Sequence, residues 1–196
     1  MKDLIRFGNR KLRKDNIGDF KLPAVKTCPY AGECKKWCFG STGSFGCPTV
    51  YNFTELSYRA SKRGTFVKRM VKEITKHAEK GMEILRIHSV GDFYSQEYYD
   101  KWMEIARQVP DVFFYAYTKS LPFVDWDNLP KNVRIIQSIG GMCKVDKRRP
   151  HAKVFPTMGK LLVEGYVPCT NSEMVAIKNV KIGLVAHGAK RGYVNG

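Results

Sequence analysis

No uninterrupted apolar run in the chain approaches the ~18 residues that a bilayer-crossing helix needs, and the mean hydropathy of -0.35 leaves no room for one. A membrane protein is therefore not expected. The first residues, Met1 to Lys14, are basic but lack an apolar stretch and a small-residue cleavage site, so export is not expected either and the cytoplasm of a bacterial or phage-infected cell is the anticipated location. Walker A, HExxH and GxSxG motifs are absent, which removes the commonest nucleotide-hydrolase, zinc-protease and esterase readings. No CxxC occurs, and nothing of the helix-turn-helix, zinc-finger or RNP type is present. Acidic residues are scarce: 18 Asp and Glu face 34 Lys and Arg, giving a formal net charge of +16.

Such an excess attracts polyanions. The basic residues cluster at Arg10 to Lys14, Lys62-Arg63, Lys68-Arg69, Lys147 to Arg149 and Lys190-Arg191, so nucleic acid or another polyanion is the leading partner, with a highly soluble surface as the plain alternative. The length of 196 residues suits one domain with its own core, 1–196, comprising a basic lead (1–19) and a cysteine-rich loop (27–48).

Hydrophobic periodicity alternates along the chain. Strand-like segments are Phe20–Lys26, Glu83–Ser89, Val112–Thr118, Val133–Ser138, Lys153–Phe155 and Val180–Ala186. Helical spacing runs from about Thr54 to Lys80 with a break near Gly64, then over Gln96–Gln108 and Gly159–Glu164. Strand, helix, strand repetition predicts an α/β fold with parallel strands, and sites in such folds gather beyond the carboxyl ends of the strands. Strand alternation turns Arg86 and His88, Phe113, Tyr115, Tyr117 and Lys119, and Arg134, Ile136 and Ser138 toward one interior. Each has a structural reading beside the functional one, such as a buried histidine meeting a local hydrogen bond. Glu97, Asp100 and Glu104 read as a solvated helix face, and His77 and His151 as surface residues.

Six cysteines without an export signal point to metal or redox chemistry before disulfides. Cys28, Cys34 and Cys38 form CxxxxxCxxxC directly after the first expected strand, with Cys47 nine residues further on. Three thiolates in one tight loop suit a [4Fe-4S] cluster. Structural zinc, which favours paired CxxC knuckles, and unligated or redox thiols are the alternatives. A fourth ligand at Cys47 would close the coordination and make the cluster structural or an electron carrier. Cys143, after the Gly140-Gly141 turn, is a candidate hydrogen donor, and Cys169 an extra ligand or a buried thiol. His187 is a candidate substrate contact.

The runs LPAVKTCPYAGECKKWCFG, YNFTELSYRA, IHSVGDFYSQEYYDKW and FFYAYTKS, within residues 20–141, look like the phage-encoded family known as gene product 88. More distantly, the layout resembles radical S-adenosylmethionine (SAM) enzymes. That resemblance implies a partial parallel (β/α)6 barrel with three cluster cysteines after its first strand. It also implies a cofactor shell of Trp37 beside the third cysteine, Gly91-Asp92 at the SAM amino group, and Ser138 at the end of a later strand. Cys143, His88 and Lys119 are the catalytic candidates. The implied activity is SAM-dependent radical chemistry on a nucleic acid or nucleotide, fed by an electron donor such as a flavodoxin or ferredoxin; the reduced cluster gives one electron to SAM and a 5'-deoxyadenosyl radical abstracts hydrogen. This sequence departs from the usual pattern in its wider cysteine spacing and in Val90-Gly91 before the acid. A nucleic-acid-associated iron-sulfur protein without SAM chemistry and a zinc-stabilised polyanion binder are the other readings.

Overall fold

The computed structural model describes residues 2–7, 10–41 and 43–186, the side chains of Trp37 and Ser44 excepted. His187, Lys190 and Arg191 lie outside the described residues. The strands are β1 (Arg6–Phe7), β2 (Ile17–Asp19), β3 (Ile84–Ile87), β4 (Phe113–Thr118), β5 (Val133–Ser138), β6 (His151–Phe155), β7 (Val167–Pro168) and β8 (Lys181–Val185). They make one open sheet in the order β1-β2-β3-β4-β5-β6-β8-β7. β1 is antiparallel to β2, and every other pair is parallel. The helices are α1 (Arg10–Lys14), α2 (Pro48–Ser61), α3 (Phe66–Ala78), α4 (Gln96–Gln108), α5 (Met158–Val163) and α6 (Met174–Lys178).

The two faces of the sheet are packed differently. On one side Leu85 and Ile87 of β3, Phe114 and Ala116 of β4, and Val133 and Ile135 of β5 meet the apolar stripes of α3 (Phe66, Met70, Ile74) and α4 (Tyr98, Trp102, Ile105) in the larger core. Those stripes recur at the i, i+3 and i, i+4 spacings that put residues on one helix face. α4 is well started, since Ser95 caps it by accepting from Tyr98 N at 3.3 Å. On the other side Ile84, Tyr115 and Ile136, of opposite parity, pack with Leu12 of α1 and with Ala176 and Ile182. Strand alternation, with a period of two, thus sorts the residues as the sequence suggests.

The differences lie at the edges. The first parallel strand is Ile17–Asp19 rather than Phe20–Lys26. Pro23 has no N–H to give a ladder, and Phe20–Lys26 instead forms the exit, held by Phe20 N to Arg86 O at 3.1 Å and Leu22 N to Val90 O at 2.9 Å. The basic lead is part of the fold: β1, α1 and β2 all lie within it. The long helical segment is two helices separated at residues 62–65. The cysteine loop contains short 3-10 turns at Gly32–Trp37, Phe39–Ser41 and Gly43–Gly46. His151 is fully buried, not at the surface, with Nδ1 2.9 Å from Arg149 O and its ring edge-on to Tyr166.

Candidate metal centre

The cysteine segment lies across the exits of β3, β4 and β5. Gly91, just beyond β3, has φ +86°, and a Cβ there would meet Leu22 Cβ at 2.6 Å and Thr27 Oγ1 at 2.7 Å. Only glycine permits both that backbone and that closeness. Thr27 is itself fully buried and donates to Pro23 O at 2.8 Å. Past β5, Met142 N donates to Tyr30 O at 2.9 Å, and Gly141 lies so close to Tyr30 O and Lys119 that a Cβ would stand 2.9 Å from each. At Gly40 a Cβ would meet Val90 Cγ1 at 2.7 Å and Cys38 Sγ at 3.5 Å. The loop is therefore anchored at both its beginning and its middle to the strand exits, which is where the sequence places a site.

Cys28, Cys34 and Cys38 are all partly buried and share one electrostatic neighbourhood. Burial pushes the Cys28 thiol up to about 12, and the charges of Asp92, Cys38 and Cys34 act in the same direction. Cysteine binds metal as the thiolate, so ligation at Cys28 would have to release a proton. Among the described residues no three cysteine sulfurs lie within 4.8 Å of one another. A single tetrahedral zinc with bonds of ~2.3 Å would hold its sulfurs about 3.8 Å apart. The three sulfurs are not gathered to that spacing as they stand. Cys47 is exposed, and its carbonyl accepts from Val50 N and Tyr51 N, both at 3.0 Å, at the start of α2. Between the loop and that helix start is a cavity of about 440 Å³, lined among others by Ala24, Gly40, Phe45, Tyr51 and Val90.

Asp92 is 5% exposed and braces two strand exits. Its Oδ1 accepts from Phe93 N at 2.7 Å and Thr118 Oγ1 at 2.5 Å, and its Oδ2 from Lys119 N at 2.9 Å. Burial raises its pKa while those three donors oppose the rise. Lys119 Nζ donates to Ser138 Oγ at 2.5 Å, joining the exits of β4 and β5. Cys143 is partly buried just beyond Gly141. The Trp37 side chain lies outside what is described.

His88 departs from its expected orientation. Its φ is +63°, which turns the ring to the helix side, among Phe93 (4.7 Å between centroids), Phe20 (6.4 Å) and Trp102 (6.5 Å), with Nε2 2.9 Å from Tyr98 OH. Burial, helped by repulsion from Arg86, lowers its pKa to about 3. Arg86 does face the other side as alternation requires. It stacks over the Tyr117 ring at 5.0 Å and stands 3.7 Å from Glu173, which also takes Lys11 Nζ at 2.8 Å and Tyr115 OH at 3.2 Å. Cys169 belongs to this cluster, with Lys11 Nζ at 3.6 Å and Tyr117 OH at 3.9 Å, away from the other cysteines. Glu173 and Asp19, whose Oδ1 is buried without a hydrogen-bond partner, carry no sequence signal. Isolated acids in apolar surroundings become visible only when the sheet brings Arg86 against them.

Among the described residues no helix is long and apolar enough to cross a membrane. No solved structure matches the chain. A curated relative, the Gene 88 protein of Mycobacterium phage L5, is 40% identical over 57 residues, which is 28% of this chain and 24% of that protein. The aligned stretch thus spans about a quarter of the relative's length. The family model described as Gene product 88 matches residues 3–193, nearly the whole chain, and this protein belongs to that family.

Proposed function

We propose that this is an iron-sulfur protein in which Cys28, Cys34 and Cys38 hold a [4Fe-4S] cluster over the exits of β3, β4 and β5, and that it acts as a radical SAM-like enzyme on a nucleic acid or nucleotide. The observation that carries the reading is that the loop bearing the three thiols, together with Asp92, lies at the carboxyl ends of parallel strands. The sequential parallel order of β2 to β6, with α-helices on the β2–β3 and β3–β4 connections, is the part of this open sheet that a partial (β/α)6 barrel would share. When bound, the cluster would supply one-electron reduction of SAM at an iron without a protein ligand. The chain's own part is to bind and orient. Its cavity of about 440 Å³ between the cysteine loop and the start of α2 is of small-molecule size, with Tyr51 and Phe45 offering aromatic faces. Asp92 holds the exit backbones in register, and one acceptor position on Oδ2 remains for an amino group. Lys119, tied to Ser138, places a cation at the same end. Cys143 is the candidate hydrogen donor. The charge of +16 favours a polyanionic substrate.

A second reading, an iron-sulfur module without SAM chemistry, is favoured by Asp92, whose two oxygens already serve three protein donors. One preparation separates the two. Protein purified without oxygen is assayed for iron, sulfide and zinc, then reduced, and its EPR spectrum is recorded with and without SAM. A spectrum changed by SAM supports the radical reading; an unchanged one leaves the binding module, and zinc without sulfide removes the cluster. Binding to DNA or RNA should weaken steeply between about 50 and 200 mM salt if several phosphates are contacted.

A further inference from the structure

The segment Lys2–Phe7 runs over α3, and one side-chain cluster there is unrelated to the cysteine loop. Ile5 N donates to Glu73 Oε1 at 2.6 Å, and Arg69 Nη2 to Lys2 O at 2.7 Å. Glu73 and His77 are four residues apart on the helix, so both point to the same side, where Asp3 meets them. One ligand atom from each of Asp3, Glu73 and His77 lies within 4.8 Å of the others.

His77 is the unusual member. Both ring nitrogens are shut off from solvent, and neither has a hydrogen-bond partner. A neutral imidazole must carry one N–H donor and one acceptor, and leaving these buried and unmade is costly. Nε2 does stand 3.3 Å from Asp3 Oδ2, but outside hydrogen-bond geometry. That separation is the edge of a tetrahedron whose bonds to nitrogen and oxygen are ~2.0–2.1 Å. The contact is thus poor as a hydrogen bond and well sized for two ligands sharing an ion.

We infer that Asp3, Glu73 and His77 form a second metal site, for a divalent transition ion of the zinc type, which fastens the N-terminal segment to α3. One imidazole and two carboxylates, completed by water, are a common donor set for such ions. Two cations stand close by. Lys76 Nζ donates to the same Asp3 oxygen at 2.9 Å, and Arg69 Nε is 3.9 Å from Glu73 Oε2. Lys76 is half exposed and can turn into water when an ion takes its place, at the small cost typical of a surface pair. The site does not depend on the iron-sulfur proposal.

The test is a titration of the full-length protein with Co²⁺, because thiolate ligands give an intense near-ultraviolet charge-transfer band that imidazole and carboxylates do not. The titration is repeated with the Cys28→Ser/Cys34→Ser/Cys38→Ser variant, so that its result is separate from that of the cluster. The expected result is one equivalent bound without the thiolate band, kept in the triple serine variant and lost in His77→Ala and in Asp3→Asn. Zn²⁺ should raise the melting temperature of the triple serine variant and leave that of its Asp3→Asn derivative unchanged. Asp3 is partly exposed in the N-terminal segment, so this derivative is expected to fold even if His77→Ala does not. The proposal is overturned if Co²⁺ binding always carries the thiolate band, if the triple serine variant binds none, or if Asp3→Asn binds as well as the parent.

Discussion

Acid should destabilise this protein through one residue that its sequence marks as a catalytic candidate. The His88 ring is 2% exposed and enclosed by Phe20, Phe93, Tyr98 and Trp102. The protonated ring must carry a hydrogen on both nitrogens, one of them on buried Nδ1, which has no acceptor, and it sets a cation against Arg86. The folded-state pKa accordingly falls from 6.5 to about 3. Above pH 6.5 both folded and unfolded chains carry the neutral ring, so His88 has no effect on pH dependence. Below it the unfolded chain takes a proton that the folded chain refuses until about pH 3, and stability is lost over that window at up to ~1.4 kcal/mol per pH unit. From pH 7 to pH 5 the loss attributable to His88 is about 2 kcal/mol. Urea denaturation at the two pH values, on the natural protein and on His88→Asn, isolates it. Asn tolerates the positive φ and does not titrate. Its stability should fall by about 2 kcal/mol less than that of the parent over the same interval. Equal losses would refute the reasoning. An NMR titration of the parent gives the same answer independently: with four histidines, one ring signal should stay unshifted until the protein unfolds in acid.

Other outcomes follow from the packing. Gly91→Ala places a Cβ at 2.6 Å from Leu22 and a side chain at φ +86°, so it should cost roughly 1–3 kcal/mol in urea denaturation and lower the iron bound per chain. Cys28→Ser should abolish iron and sulfide incorporation while Cys47→Ser keeps both; equal losses would make Cys47 the fourth ligand. Glu173→Ala removes the partner of the largely buried Arg86 and should cost about 3 kcal/mol, well above the effect of an exposed acid such as Glu97. Asp92→Asn leaves Thr118, Phe93 and Lys119 with one oxygen fewer as a charged acceptor and should cost about 1–3 kcal/mol; under the radical reading it also weakens the SAM-induced spectral change.

By itself the sequence determined the parallel α/β arrangement, the helix over Gln96–Gln108 and the strand over Val133–Ser138, because apolar spacing and burial of one face are local properties that each segment carries. That Cys28, Cys34, Cys38 and Asp92 would lie near the strand exits was legible for the same reason, since the cysteine loop follows the first exit and Asp92 the second. The tertiary structure alone decided which way His88 turns, since a single positive φ reverses the alternation that holds for Arg86. It decided too that Cys169 leaves the other thiols for Glu173, and that Asp3 meets Glu73 and His77 across about seventy positions of chain. Such contacts depend on how far apart in sequence two residues can be and still share a face, and periodicity holds no record of that.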